Sequence, residues 1–207
     1  MLSTFARLIP QVEMSDEAFT ARHRILRIIL WLHLPLVIAI AVWTGEATGA
    51  HAFAFGLVVI AILACGVLAD VVPPRRPRAI VVAVGYMFAA DALVHAGGGL
   101  TDLHFHFFVV LALVGLYQDW VPFAISVVLV AVHHLGVGLT ASDIVFSDPR
   151  ARAAPLGWAV LHAAFVLAMC GALIVYWRFA ADTQAEGAEL RDRTTREAEE
   201  ALRNAAE

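Results

Sequence analysis

The feature of this sequence that most constrains its fold is a succession of apolar blocks, each about as long as a lipid bilayer is thick. Apolar residues make up 61% of the 207 residues, and the mean hydropathy is +0.79. Both values exceed those of a soluble globular domain. A helix needs about 20 apolar residues to cross the hydrocarbon core, and most of the blocks approach that length. We therefore predict an all-α integral membrane protein.

Six such blocks predict a bundle of six transmembrane helices. They cover residues 25–43, 52–72, 79–96, 103–117, 122–139 and 155–177. Pro122 and Pro155 begin the last two, where a missing backbone N–H costs nothing. The fourth block, at about 15 residues, is short for a crossing.

The remaining segments predict three parts of the chain. Residues 1–22 read as an interfacial segment, with Ser15 or Asp16 as the helix N-cap. Residues 23–178 would form the six-helix transmembrane domain, and residues 179–207 a cytoplasmic helical extension.

The arginines predict the orientation of the chain, since it contains no lysine. Six crossings would place eight of them on one side. They are Arg7, Arg22, Arg24, Arg27, Arg75, Arg76, Arg78 and Arg178. Arg150 and Arg152 would lie on the opposite side. Because cytoplasmic loops are enriched in arginine, we expect a multi-pass protein of the bacterial inner membrane with both termini in the cytoplasm.

The segment 179–207 differs from the rest because it is charged throughout. From residue 181 onward it holds eight acidic residues and four arginines, which accounts for the net charge of −4. Small or apolar residues recur at steps of three and four, as in a weak heptad, and Leu190 is the only large one. We expect a signalling helix that pairs with a second copy in a homodimer and leads into an output domain. Nothing in the charge distribution indicates a nucleic-acid partner.

The apolar region also carries ionisable side chains at a common depth. Placed by a helix rise of about 1.5 Å per residue, imidazoles from four predicted spans reach the outer third of the membrane. The candidate metal ligands are His95, His104, His106, His133, His134, His162 and Asp91. Ionisable groups inside a bilayer are costly and usually mark a functional site. We interpret His33, nearer the inner half, as a hydrogen-bonded packing residue.

Spacing suggests roles for some of these side chains. Asp91 lies one helical turn before His95, so it could orient that ring or bind a metal directly. His104 and His106 point about 200° apart on a helix. Both can face one site only if the helix has not fully begun at His104. We expect His106→Ala and His162→Ala to abolish metal retention.

Imidazoles without thiolates predict a copper, zinc or iron site. One ion takes three or four protein ligands, so six histidines and an aspartate are enough for a dinuclear site. A haem b, the alternative cofactor, would use only two of the histidines as axial ligands.

Three stretches of the sequence together resemble a known class of sensor. They are "HAGGGLTDLHFHFFVVLALVGLYQDWVPF", "AVHHLGVG" and "LGWAVLHAAFVLA". This combination resembles the histidine-rich membrane sensor region at the N-terminus of some bacterial methyl-accepting chemotaxis proteins and diguanylate cyclases. The similarity covers about residues 79–177. It implies an input domain that feeds a cytoplasmic output domain.

Three functions remain open from the sequence, and a sensory module ranks first. A membrane metallo-oxidoreductase is the alternative, although Asp91 is the one carboxylate expected at the depth of the histidines. A transporter ranks last, because few polar residues lie below the histidine layer. We expect the chain not to be an enzyme.

Overall fold

The computed structural model describes residues 14–45 and 52–206. Helices joined by short turns make up this part of the chain, which confirms the predicted all-α class. Residues 14–169 form one compact unit, and the residues from 170 onward belong to a second unit. Residues 1–13 of the predicted interfacial segment lie outside the described residues, as does Glu207.

Ten α-helices can be numbered along the described chain. The first six are α1 (Asp16–Thr44), α2 (Ala52–Val71), α3 (Arg75–Ala96), α4 (Thr101–His104), α5 (His106–Gly115) and α6 (Trp120–Ala131). A π-helical turn, Val132–Val137, continues α6. The last four are α7 (Gly138–Thr140), α8 (Ser142–Val145), α9 (Pro149–Ala153) and α10 (Pro155–Ala206).

Five helices in the described part of the chain are long and apolar enough to cross a membrane. They are α1, α2, α3, the continuous run Trp120–Thr140, and α10. The apolar run Thr101–Gly115 is shorter than a full crossing requires. A multi-pass membrane protein is therefore supported, while the sixth crossing stays a prediction.

The ends of α1 and the start of α6 follow from local side-chain chemistry. The Ser15 hydroxyl accepts a hydrogen bond from the Ala18 amide at 3.2 Å, which confirms Ser15 as the N-cap of α1. Gly45 ends this helix in the left-handed conformation, with φ 83°. Asp119 caps α6 by accepting from the Val121 amide at 2.9 Å. Helix α1 begins at Asp16 without a break, so residues 16–22 belong to the first long helix.

Helix α3 is the most buried of the long helices, and small side chains allow its neighbours to approach closely. Buried alanines recur along it, with Tyr86 fully enclosed. A Cβ atom built on Gly85 would lie 2.9 Å from Cys65 Cβ of α2 and 2.9 Å from Leu30 Cδ2 of α1. Such close backbone approach is typical of helix packing in membranes.

This crossing yields a stability prediction for Gly85→Ala. The added methyl group meets Cys65 Cβ, which cannot move by a rotamer change, so we expect a loss of about 1–3 kcal/mol of stability. The thermal unfolding midpoint in detergent measures the effect. Gly56→Ala in α2 is the matched control, because nothing lies within 4 Å of its added Cβ. An equal loss in both variants would contradict the close crossing.

The residues of the second unit, from Cys170 to Ala206, continue α10 as a helix. Its charged side chains are exposed, and Arg193 donates to Glu189 at 2.6 Å. Leu190 is 67% exposed. A helical segment is thus present where the sequence predicts one, and its pairing in a homodimer stays a prediction.

Candidate metal centre

A turn of three glycines positions the start of the site. Gly98 and Gly99 have φ values of 61° and 75°, which favour glycine, and they reverse the chain between α3 and α4. The Gly99 carbonyl accepts a hydrogen bond from the Ser147 amide at 3.0 Å. This bond holds the loop after α8 next to the turn. His95 therefore lies just before the turn and His104 just after it.

The π-helical turn positions two further histidines. His133 and His134 lie in Val132–Val137, and both are buried. A π turn changes the direction of the side chains that follow it, and such turns are frequent at functional sites. The two ring centroids are 4.9 Å apart.

Four imidazoles, His104, His133, His134 and His162, converge here, and we call them the imidazole cluster. Ligand atoms of the first three all lie within 4.8 Å of one another, and each residue is at most 6% exposed. The His162 ring, from α10, stacks on that of His134 with centroids 4.2 Å apart. Three separate helical segments, α4, the π-helical turn and α10, thus contribute to one cluster, and these four residues converge as the sequence predicted.

Hydrogen bonds on the opposite nitrogens orient two of these rings. His104 Nδ1 lies 3.0 Å from the Leu100 carbonyl oxygen, and His134 Nδ1 lies 2.9 Å from that of Val130. A carbonyl only accepts, so both Nδ1 atoms carry the proton and both Nε2 atoms keep a lone pair. This is the tautomer that an Nε2 metal ligand requires.

Several ring nitrogens of the cluster are buried without a hydrogen bond. The Nε2 atoms of His133, His134 and His162 find no hydrogen-bond partner among the described residues. A buried polar atom left without a partner is costly and calls for an explanation, such as an ion. The donor set therefore fits a transition-metal ion.

Asp91, His95 and His133 form a second group, which we call the carboxylate cluster. Asp91 Oδ1 lies 2.5 Å from His133 Nδ1 and 3.5 Å from His95 Nε2. Ligand atoms of all three residues lie within 4.8 Å of one another. The i, i+4 relation between Asp91 and His95 that the sequence suggested is present on α3. His133 belongs to both clusters.

His106 is the predicted ligand that the structure does not bring to either cluster. Its Nε2 atom lies 2.9 Å from His33 Nε2. The physical reason is that Phe105, with φ −60° and ψ −19°, keeps helical geometry between α4 and α5. His104 and His106 therefore point in different directions. The prediction of a single layer containing all six histidines is corrected to two levels.

The second level is a hydrogen-bonded pair near the middle of α3. His33 Nδ1 lies 2.7 Å from the Ile29 carbonyl oxygen, so it carries the proton and His33 Nε2 accepts from His106. The His33 ring also contacts that of Tyr86, with centroids 5.3 Å apart. His33 thus has the hydrogen bonds expected of a packing residue, and it shares this role with His106.

Loop residues missed by the sequence interpretation cover part of the site. The Phe146 ring lies parallel to that of His104, with centroids 6.1 Å apart. A small cavity of about 60 Å³ extends from the imidazole cluster to Ser147 and Asp148. The hydrogen bond from Arg150 lowers the pKa of the Asp148 carboxyl. The sequence signal for this contact was the large apolar run of Ile144, Val145 and Phe146 between charged residues of the loop.

An apolar cavity adjoins the imidazole cluster on another side. It has a volume of about 200 Å³ and lies between the run 127–135 and residues 159–167. His134 and His162 are the two polar residues in its lining. The cluster is therefore bordered by apolar side chains on one side and by the loop on another.

Comparison with known proteins gives one relative. The chain is 31% identical over 169 residues to Transducer protein Htr8 of Halobacterium salinarum, an alignment that covers 77% of this chain and 26% of that protein. The chain thus spans about a quarter of the length of the curated relative it matches. No protein-family model matches the chain, and no solved structure matches it. This similarity to a transducer supports a sensory signalling role and agrees with the resemblance to chemotaxis sensor regions.

Proposed function

We propose that this chain is a transmembrane sensory input domain whose imidazole cluster binds a transition-metal ion. In this proposal the domain signals through its last helix to a cytoplasmic output domain. The observation that carries the proposal is the convergence of buried imidazoles whose Nε2 atoms have no hydrogen-bond partner in the described structure. Similarity to a transducer supports the signalling role.

Copper, zinc or iron suits an all-imidazole donor set. Zinc–nitrogen distances are about 2.0–2.1 Å, which puts the donors around a tetrahedral ion roughly 3.3 Å apart. The ligand nitrogens of His104, His133 and His134 now lie up to 4.8 Å apart, so they would move closer by as much as about 1.5 Å around such an ion. A haem b would instead require two rings on opposite faces of a macrocycle, whereas the His134 and His162 rings stack on each other at 4.2 Å. The close grouping therefore favours a bare ion.

Asp91 supports this assignment because it contacts His133 at the ring nitrogen that does not face the proposed ion. Its carboxylate lies 2.5 Å from His133 Nδ1. A carboxylate at this position fixes the tautomer and raises the basicity of the other ring nitrogen. His133 Nε2 is thereby prepared to donate its lone pair to the ion.

His162 connects the ion to the last helix. It is the residue of α10 in the imidazole cluster, while the other three rings come from α4 and the π-helical turn. Binding of an ion favours the arrangement of α10 in which His162 reaches the other ligands. When the ion is lost or exchanged, α10 no longer prefers this arrangement. A ligand that binds one of two arrangements more tightly shifts the population of the protein toward that arrangement.

In this proposal the protein lies in the bacterial inner membrane with both termini in the cytoplasm. The arginine distribution supports the orientation. The exposed charged helix after residue 178 would pair with that of a second copy as a homodimer. A change in the arrangement of the paired helices would be transmitted to an output domain.

A spin label on the last helix tests the signalling proposal. Leu190→Cys is labelled in a chain whose Cys65 and Cys170 are replaced by alanine, and its mobility is measured by electron paramagnetic resonance with and without bound metal. We expect a reversible change in mobility on metal removal, and none in His162→Ala. His106→Ala is the matched control and should respond normally. An unchanged label in a chain with stoichiometric metal would contradict signalling through this helix.

A further inference from the structure

The carboxylate cluster has the donors of a metal site of its own. We infer that Asp91, His95 and His133 form a second, exchangeable site for a divalent transition-metal ion, and that this ion is the signal the domain detects. The inference rests on the proposed function, because His133 would link the second ion to the first. The ligand set of one carboxylate and two imidazoles is one that zinc accepts.

The geometry of His133 is the first argument for a shared ring. One ring nitrogen, Nδ1, faces Asp91 at 2.5 Å. The other, Nε2, is buried without a hydrogen bond in the described part of the chain and is the donor available to the imidazole cluster. A ring placed in this way can bridge two ions as an imidazolate, and binding of the second ion then displaces the Nδ1 proton, which leaves to water. Binding on one side then changes the electron density and the orientation of the donor on the other.

His95 is the second argument, because orientation of His133 does not require it. Asp91 alone suffices to fix the His133 ring. His95 nevertheless lies on the same face of α3, with Nε2 3.5 Å from Asp91 Oδ1 and its ring centroid 5.8 Å from that of His133. His95 thus brings the number of donors to three, which is the number of protein ligands that a zinc ion takes at a site with an open position.

The difference in exposure is the third argument, and it assigns the roles of the two sites. The side chains of Asp91 and His95 are 25% and 34% exposed, whereas that of His133 is 6% exposed. The carboxylate cluster is thus less enclosed by protein than the buried imidazoles. An ion there exchanges faster than the ion in the imidazole cluster. The exposed site is therefore the one suited to report a metal concentration.

Cobalt titration of the metal-depleted chain in detergent tests the inference. Co²⁺ absorption and equilibrium dialysis together count the ions and give both affinities. We expect two ions per chain in the wild type, with the weaker one removed first by a chelator. His95→Ala should lose only the weaker ion. Asp91→Asn should lose it too and should weaken the remaining ion by about 10-fold to 100-fold, since His133 loses its orienting carboxylate.

Asp102→Asn is the matched control, since this exposed carboxylate follows the same glycine turn and lies in neither cluster. It should keep both ions, and size-exclusion profiles should show that all variants remain folded. One ion in the wild type, unaffected by His95→Ala, would overturn the second site and leave the proposed function standing. No ion at all in the wild type would overturn both. Label mobility at Leu190→Cys should follow occupancy of the weaker ion, and dependence on the tighter ion alone would overturn its role as the signal.

Discussion

Replacing His134 with alanine is expected to lower the affinity of the chain for a transition-metal ion by at least about 100-fold. His134 Nε2 is buried, lacks a hydrogen-bond partner among the described residues and belongs to the imidazole cluster. Loss of a residue that merely supports a ligand costs about 10-fold to 100-fold in affinity, so loss of a ligand costs at least the upper value. Competition with a chelator of known affinity measures the change.

His106→Ala is the control for this experiment, and it reverses the expectation drawn from the sequence. His106 pairs with His33 at 2.9 Å and lies in neither cluster. We therefore expect its loss to change metal affinity by less than about twofold, which is smaller than the 10-fold or greater loss caused by removing a residue that supports a ligand. His33→Ala should behave in the same way. Equal loss of metal in His134→Ala and His106→Ala would show that the histidines act through folding.

Gly99→Ala is expected to damage both the fold and the metal site, whereas Gly98→Ala is expected to affect only local stability. Both positions have positive φ, so alanine costs about 1–2 kcal/mol at either one. At Gly99 the added Cβ would also lie 2.8 Å from the Val145 carbonyl oxygen and 2.8 Å from the Phe146 amide nitrogen. Backbone atoms cannot avoid the methyl group by a rotamer change, so the loop that contains Phe146 has to move. Nothing lies within 4 Å of the Cβ added at Gly98.

Movement of that loop reaches the metal through His104. The Phe146 ring packs parallel to the His104 ring, with centroids 6.1 Å apart, so its displacement would open the imidazole cluster on that side. We expect a larger fall in the thermal midpoint for Gly99→Ala than for Gly98→Ala, together with at least about tenfold weaker metal binding, the lower end of the effect of lost support. Thermal unfolding in detergent and chelator competition measure the two quantities. Equal effects of the two variants would contradict a role for the loop.

The lengths of the apolar blocks were sufficient to predict the helices. Each block can be interpreted directly as a helix, because backbone N–H and C=O groups in hydrocarbon must be hydrogen-bonded to each other, and a helix achieves this within one segment. The structure has helices in all six predicted places, with α1 and α10 extended by polar turns that a hydropathy pattern cannot include. The convergence of His104, His133, His134 and His162 was also predictable, because helix rise alone sets their depth.

Directions of side chains were harder to predict than depths. The sequence left open whether a helix begins before His104, and the helical dihedral angles of Phe105 decide that His106 points elsewhere. The π-helical turn at His133 and His134 has no clear signal in an apolar run. The contact between Phe146 and His104 depends on how a 12-residue loop, 142–153, folds back. The sharing of His133 between two clusters follows from these directions and was not predictable.

X-ray absorption spectroscopy at the edge of the bound metal is the most direct test of the imidazole cluster. Imidazole rings give a multiple-scattering pattern that distinguishes them from carboxylate, water and thiolate ligands. The purified chain, reconstituted with zinc or copper, should show at least three imidazoles at about 2.0–2.1 Å, and His134→Ala should lose one of them. A spectrum with oxygen or sulfur ligands alone, or a chain that retains no metal, would contradict a histidine metal centre.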